Sequence, residues 1–193
     1  MAIIRASTEW ETEFLIKIIS LFDIPKKVYV EIGGLKGGSL RVMGNIIDKN
    51  GLLISIDIVG SEKLQKTIKD FSETHKTHLI IKDSHLPETK NLLLKQLDGK
   101  LIDILFIDGD HTLLGAVKDT IDYTSLVTQN GLIIFHDCGI INAEMTKAGS
   151  KVINGVHPCF QSFVYNKPYI LLQEWSGLGI VINRPLRLLE NKE

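Results

Sequence analysis

Five short apolar segments alternate with helix-forming segments over most of this chain. The apolar segments are "VYVEIG" (28–33), "GLLISIDIV" (51–59), "HLIIKDS" (78–84), "LIDILFIDGDH" (101–111) and "GLIIFHDC" (131–138). Continuous apolar strands that alternate with helices are typical of a parallel sheet covered by helices on both faces. We therefore predict an α/β domain of three layers around a Rossmann-like, mostly parallel sheet.

Both ends of the chain extend this predicted core of residues 28–138. An N-terminal helix is predicted within residues 1–25, because Phe14, Ile18 and Leu21 recur at helical spacing. Residues 139–158 follow no regular pattern and are a candidate lid. Residues 159–185, including "CFQSFVYN" at 159–166, are predicted to form C-terminal strands that add an antiparallel hairpin. All 193 residues are expected to form one domain.

The composition excludes several classes of partner. The net charge is −1, so no global field favours nucleic acid or an anionic membrane. No apolar run is long enough to span a bilayer, and acidic residues interrupt the N-terminus where a secretory signal would stay apolar. Two cysteines, Cys138 and Cys159, make no disulfide framework. We expect a cytoplasmic protein that binds neither nucleic acid nor membranes.

Polar residues stand at the carboxyl end of every predicted strand. They are Gly33–Ser39, Asp57, Asp83–Ser84, Asp108–His111 and His136–Asp137. Ligands of open parallel sheets bind outside the carboxyl ends of the strands, so these residues predict one polar site.

The glycine-rich segment "EIGGLKGGSL" (31–40) fits neither common phosphate motif. A dinucleotide fingerprint needs glycine where Leu35 or Lys36 stands, and a phosphate-binding loop needs lysine where Ser39 stands. Close backbone approach without a phosphate lysine would suit a carboxylate, although glycine also serves a plain tight turn. Asp57, after the second strand, can accept hydrogen bonds from a ribose or can cap a helix. Together, the glycines and Asp57 favour a nucleoside ligand.

These motifs resemble those of a known family. The pattern Glu31-x-Gly33-x-x-x-Gly37-x-Ser39, the acid Asp57, "FIDGDH" and "NGLIIFHD" resemble class I S-adenosylmethionine-dependent methyltransferases, and within them the cephalosporin-hydroxylase-like and sugar O-methyltransferase group. The resemblance covers residues 28–138. It implies the class I methyltransferase fold and an O-methyltransferase that uses S-adenosylmethionine and acts on a hydroxyl of a small molecule or sugar.

The resemblance also implies roles for individual residues. Gly33, Gly37 and Ser39 would surround the methionine end of the cofactor, above a supporting Glu31 that approaches the amino group. The remaining cofactor-binding positions would be Asp57 at the ribose, Asp83 and Ser84 near the adenine, and Asp108.

A second set of residues is expected to carry the chemistry. His111 is the first candidate for general base, because a neutral imidazole can take a hydroxyl proton near neutral pH, and Asp110 is its rival. By the resemblance, Asp108, His136 and Asp137 would bind a divalent metal, magnesium or manganese. Imidazole suits manganese, iron or zinc better than magnesium, and a site without metal is the other option.

Two other functions stay open at this level. One is a metal-dependent hydrolase or lyase that uses Asp108, His136 and Asp137 without the cofactor. The other is a non-catalytic module that binds S-adenosylmethionine. The sequence leaves the acceptor and the oligomeric state undetermined, a homo-oligomer being one option.

Overall fold

The computed structural model describes residues 9–139, 144–147, 150–153, 155–173 and 176–185. The described helices are α1 (Glu9–Leu21), α2 (Gly38–Gly44), α3 (Glu62–Phe71), α4 (Pro87–Leu97), α5 (Leu113–Thr124) and α6 (Val156–Phe163). The described strands are β1 (Val28–Ile32), β2 (Leu52–Asp57), β3 (Lys76–Ile81), β4 (Ile102–Ile107), β5 (Val127–His136), β6 (Glu144–Lys147), β7 (Ser150–Ile153), β8 (Tyr169–Leu172) and β9 (Leu178–Ile182).

Seven strands form one sheet in the order β3-β2-β1-β4-β5-β9-β8. The first five are parallel, whereas β9 runs antiparallel to both β5 and β8. The chain order reverses between β1 and β4, which is where an open α/β sheet leaves a crevice for a ligand. The predicted Rossmann-like sheet with an antiparallel C-terminal hairpin is confirmed.

Helices cover both faces of the sheet, and the core is divided between the two faces. On β1, Val28, Val30 and Ile32 pack into one apolar cluster, while Tyr29 joins the other cluster with α1 and α2. All five β1 residues are buried. Burial on both faces explains why the central strands are continuously apolar in sequence.

The segment "CFQSFVYN" was predicted to be a strand, and that prediction is wrong. Val156, Cys159 and Phe160 are the buried residues of α6, at the spacing of one helix face. Aromatic residues and valine favoured a strand locally, but packing of this face against the core decided the outcome. The turn at "NKPY" (166–169) therefore links α6 to β8. Strands β8 and β9 confirm the predicted terminal strands.

The candidate lid contains a small hairpin. Strands β6 and β7 pair antiparallel within it, and α6 begins at its end. Residues 140–143, 148, 149 and 154 lie outside the described part of the chain, as do residues 1–8 of the predicted N-terminal helix region. A lid function therefore stays a prediction. Among the described helices, none combines the length and apolarity needed to cross a bilayer.

Candidate functional site

The polar strand ends line one cavity of about 1090 Å³ along the carboxyl edge of the sheet. It runs from the end of β3 to the start of β9. All predicted site residues contribute to its walls except Glu31 and Gly37, which lie behind the lining. The sequence-based prediction of a single polar site is thus consistent with the described structure.

Gly33 allows the ends of β1 and β4 to touch at the switch point. Its φ is +90°, and a Cβ there would lie 2.0 Å from the backbone oxygen of Asp108. Gly37 also has a positive φ, of +76°, and a Cβ on it would lie 2.7 Å from Thr67 Oγ1 on α3. The glycines therefore serve close packing around the loop as well as backbone access to the cavity.

Glu31 supports the glycine loop from below. Its carboxylate is fully buried and accepts hydrogen bonds from the hydroxyls of Tyr29 (2.9 Å), Ser39 (2.7 Å) and Ser55 (2.7 Å). Burial raises the pKa of Glu31 to about 7, although the three hydrogen bonds act in the opposite direction. This position agrees with the predicted supporting role, while contact with a cofactor amino group stays a prediction.

Asp57 joins the glycine loop to the loop after β2. Its Oδ2 accepts a hydrogen bond from the Leu35 N–H at 2.7 Å. Its Oδ1 accepts from the N–H groups of Val59 and Gly60 at 2.8 and 2.9 Å. Each carboxylate oxygen has two lone pairs, so Asp57 keeps one acceptor site, on Oδ2, for a ribose hydroxyl while it orients the loop.

The loop after β3 is held by α5. The Ser84 hydroxyl donates to Asp119 Oδ1 at 2.7 Å, and the Tyr123 hydroxyl donates to the Ser84 carbonyl at 2.6 Å. Burial raises the pKa of Asp119 to about 6. His85 also lines the cavity here and lies next to Asp119. No sequence pattern pointed to this histidine, because its partner is on a distant helix.

His111 lies between two carboxylates at the ends of β4 and β5. Its Nε2 is 3.1 Å from Asp108 Oδ1, and its Nδ1 is 3.2 Å from Asp137 Oδ2. His136 extends the group, since its Nδ1 is 3.3 Å from Asp108 Oδ1 and 3.4 Å from Asp137 Oδ2. Asp137 has a φ of +59°, a conformation that aspartate tolerates better than most residues and that is often retained at functional sites.

The two acids and two imidazoles balance each other electrostatically. A hydrogen bond to Asp108 is the main cause of the raised pKa of His111, and burial opposes it. Burial alone would lower the pKa of His136, but Asp108 and Asp137 outweigh it and raise that pKa well above its usual value. Burial would likewise raise the pKa of Asp108, yet the two histidines lower it. Asp108 and each of the two imidazoles therefore favour the charged form of the other.

Three of these side chains could converge on a metal ion. Among the described residues, donor atoms of Asp108, His111 and Asp137 lie within 4.8 Å of one another. This group has His111 where the predicted set of Asp108, His136 and Asp137 had His136. The other ring nitrogen of His136, Nε2, lies 3.2 Å from Ser176 Oγ. Two carboxylates and one imidazole suit manganese better than magnesium, and the presence of any metal stays a prediction.

The end of the cavity near β9 is walled by α1. Glu11 is buried and accepts a hydrogen bond from the Ser176 hydroxyl, which in turn contacts His136. The sequence analysis assigned no role to Glu11, so its contribution was not predicted. The cavity is also lined by four residues of the apolar cluster that contains α1, namely Leu15, Met43, Phe106 and Leu178.

Two solved structures share this fold. The O-methyltransferase from Bacillus cereus, solved in complex with SAH, superposes with a TM-score of 0.67 over 92% of this chain and 82% of that chain, at 13% identity. The N-methyltransferase NodS from Bradyrhizobium japonicum gives a TM-score of 0.64 over 91% of this chain and 96% of that chain, at 12% identity. At these identities the likeness shows the fold alone, and the two names differ in the acceptor atom.

Sequence comparison identifies the family. The uncharacterized protein R132 of Acanthamoeba polyphaga mimivirus is 37% identical over 125 residues, or 62% of this chain. The match spans only 55% of the viral protein's length. Residues 30–138 match the model of a family described as a methyltransferase domain, which agrees with the range of the motif resemblance. The chain therefore belongs to this family of methyltransferase domains, within the class I S-adenosylmethionine-dependent methyltransferases.

Proposed function

We propose that this protein transfers the methyl group of S-adenosylmethionine to a hydroxyl group of a small molecule. The observation that carries the proposal is His111, held between Asp108 and Asp137 beside the Gly33 loop. This imidazole lines the same cavity as the loop and as Asp57.

The strand order supports an orientation for the two substrates. Asp57 ends β2, Gly33 follows β1, Asp108 follows β4, and the β5 end lies beyond them. A nucleoside over Asp57 and a methionine over Gly33 would direct the sulfonium methyl group towards the ends of β4 and β5. The acceptor would then occupy the α1 end of the cavity.

The reaction needs alignment and loss of a proton. The methyl group is already activated on the sulfonium, so the protein has to place the acceptor oxygen in line with it and remove the hydroxyl proton. A neutral His111 would take that proton, with Asp108 and Asp137 orienting the ring. Asp110 is less suited as the base, because its Oδ1 accepts the Thr112 N–H at 2.9 Å at the start of α5.

The lining of the α1 end supports a hydroxyl on an apolar body. Leu15, Met43, Phe106 and Leu178 contribute side chains there, which favour a phenol or catechol over a free sugar. A phenol also needs a base near neutral pH, which His111 would provide. The apolar lining therefore supports a phenolic acceptor better than the sugar acceptor implied by the sugar O-methyltransferase group.

The donor set fits a divalent metal chemically. Asp108, His111 and Asp137 would hold it, with His136 adjacent. When bound, such an ion supplies Lewis acidity that lowers the pKa of a hydroxyl. With or without the ion, these residues would act on the acceptor by orienting it and by removing its hydroxyl proton.

A methyl-transfer assay tests the proposal. Purified protein is incubated with methyl-labelled S-adenosylmethionine and a panel of a catechol, a phenol, a free sugar and a primary amine. We expect labelled product from the phenolic acceptors, a loss of about 10²-fold or more in His111→Ala, and little change in the control His78→Ala on β3. Transfer to the amine alone, or equal rates in His111→Ala and the wild type, would contradict the proposed hydroxyl methylation with His111 as base. Cofactor binding without transfer to any acceptor would support the non-catalytic module.

A further inference from the structure

A second histidine–carboxylate group lies in the cavity, at the end of β3 rather than at β4 and β5. His85 is half-buried and lines the cavity, whereas the Asp119 side chain has no exposed surface. His85 Nε2 is 3.3 Å from Asp119 Oδ1 but is not in hydrogen-bonding geometry. The mechanism proposed above uses neither residue.

Within the described part of the chain, two buried polar atoms of this pair have no hydrogen-bond partner. They are His85 Nε2 and Asp119 Oδ2. A buried polar group without a hydrogen-bond partner destabilises the folded protein, so a pair of them beside a cavity needs a physical reason. A small rotation of the imidazole would bring Nε2–H onto the carboxylate and satisfy both groups.

The surroundings of Asp119 hold it in place for that contact. Ser84, the neighbour of His85, donates its hydroxyl to Asp119 Oδ1, and Tyr123 fixes the Ser84 backbone. Gly109 leaves room for the other carboxylate oxygen, because a Cβ there would lie 3.0 Å from Oδ2. The Ser84 hydroxyl thus holds one carboxylate oxygen while the histidine ring stays at the cavity wall.

A carboxylate beside Nε2 keeps the ring proton on that nitrogen and leaves a lone pair on Nδ1. Nδ1 faces Asp83, whose Oδ1 is 3.7 Å away and which also lines the cavity. Two hydrogen-bond acceptors side by side suit an amino group, which has two N–H donors.

We propose that His85 is a specificity-determining residue of the cofactor site, which accepts a hydrogen bond from the exocyclic amine of the purine base, and that Asp119 is the positioning residue that fixes its tautomer. The inference rests on the proposed function, because the base lies at the β3 end only when the nucleoside binds over Asp57. It adds a residue that the family motifs quoted above do not include.

The test is the preference for an amino over an oxo purine. Calorimetry at about pH 8 gives the Kd of S-adenosylhomocysteine and of S-inosylhomocysteine, which has a carbonyl in place of the amine. We expect the wild type to prefer the adenosyl compound by roughly ten-fold or more. The ratio is expected to fall to about two-fold or less in His85→Ala, to fall partly in Asp119→Asn, and to recover in His85→Gln, whose amide oxygen can accept.

Taking the ratio within each variant cancels a general loss of affinity, and His78→Ala serves as the matched control with an unchanged ratio. His85 is partly exposed, so its variants are expected to fold even where Asp119→Asn does not. A wild-type ratio retained in His85→Ala overturns this inference and leaves the proposed function intact. Absence of S-adenosylhomocysteine binding to the wild type overturns both.

Discussion

Gly33→Ala should destabilise the protein far more than alanine at another glycine with a similar backbone conformation. Gly33 has a φ of +90°, and the added Cβ would lie 2.0 Å from the Asp108 backbone oxygen. Gly99, after α4, has a φ of +76° with no heavy atom within 4 Å of its added Cβ. The two substitutions therefore share the conformational cost and differ in the steric one.

The expected magnitudes follow from this difference. A positive φ costs a residue with a Cβ about 1–2 kcal/mol, and the stiffer unfolded chain returns about 0.4–1 kcal/mol. Gly99→Ala should thus lower the free energy of unfolding by about 1 kcal/mol. Gly33→Ala adds an overlap that requires β1 and β4 to separate, although the Asp108 N–H donates to the Ile32 carbonyl across these two strands at 2.9 Å. Overpacking costs about 1–3 kcal/mol, so we expect a total loss of about 2–4 kcal/mol.

Thermal and urea unfolding of both variants measure these values. For a domain of this size, 1 kcal/mol shifts Tm by about 2–4 °C, so Gly33→Ala should lose about 4–16 °C and Gly99→Ala about 2–4 °C. Gly33→Ala should also bind S-adenosylhomocysteine more weakly, since the loop and the Asp108 segment move apart. Equal losses in the two variants would refute the reasoning that the approach of β1 to β4 is what requires glycine.

Three further predictions concern the buried acid and the cluster around His111. Because the folded pKa of Glu31 is about 7 and its ordinary value is 4.5, the folded protein binds an extra proton between these values, and its stability should fall as pH rises through that window. Urea unfolding at several pH values should show that the free energy of unfolding falls less across this window in Glu31→Gln than in the wild type, by at most about 3 kcal/mol. An equal fall in the two proteins would contradict the raised pKa of Glu31. The rate of methyl transfer should rise with pH above the ordinary pKa of histidine, since His111 must be neutral to act as the base. Asp137→Asn should move the midpoint of this pH profile to lower pH, because Asp137 helps to raise the His111 pKa. A midpoint that moves to higher pH would exclude His111 as the base oriented by Asp137. Calorimetry after chelator treatment should find Mn²⁺ bound more tightly than Mg²⁺ at Asp108, His111 and Asp137, and the reverse order would argue against imidazole as a ligand.

The sequence predicted the sheet because its signal is local. Each central strand is a short apolar run that ends in a polar residue, and the alternation with helices determines the parallel arrangement. The gathering of Asp57, Asp108 and His111 in one cavity then follows from topology, since parallel strands present their carboxyl ends at one edge.

The errors and omissions have a different physical origin. Residues 156–163 became helical because Val156, Cys159 and Phe160 bury one helical face, which local β-propensity does not reveal. His85 was not assigned a role, because Asp119 approaches it from α5 across the fold. Glu11 meets Ser176 in the same way, from opposite ends of the chain. Contacts of this kind depend on tertiary structure and leave no spacing in the sequence.

Calorimetric titration of the wild type and Asp57→Asn with S-adenosylhomocysteine tests most directly the claim that the Gly33 loop and Asp57 hold this cofactor. We expect a micromolar Kd for the wild type. We expect affinity to fall about ten-fold or more in Asp57→Asn, because this side chain both orients the Leu35 N–H and lines the cavity where the nucleoside is proposed to bind. No binding to the folded wild type, or equal affinity in the two proteins, would show that the Gly33 loop and Asp57 do not hold this cofactor.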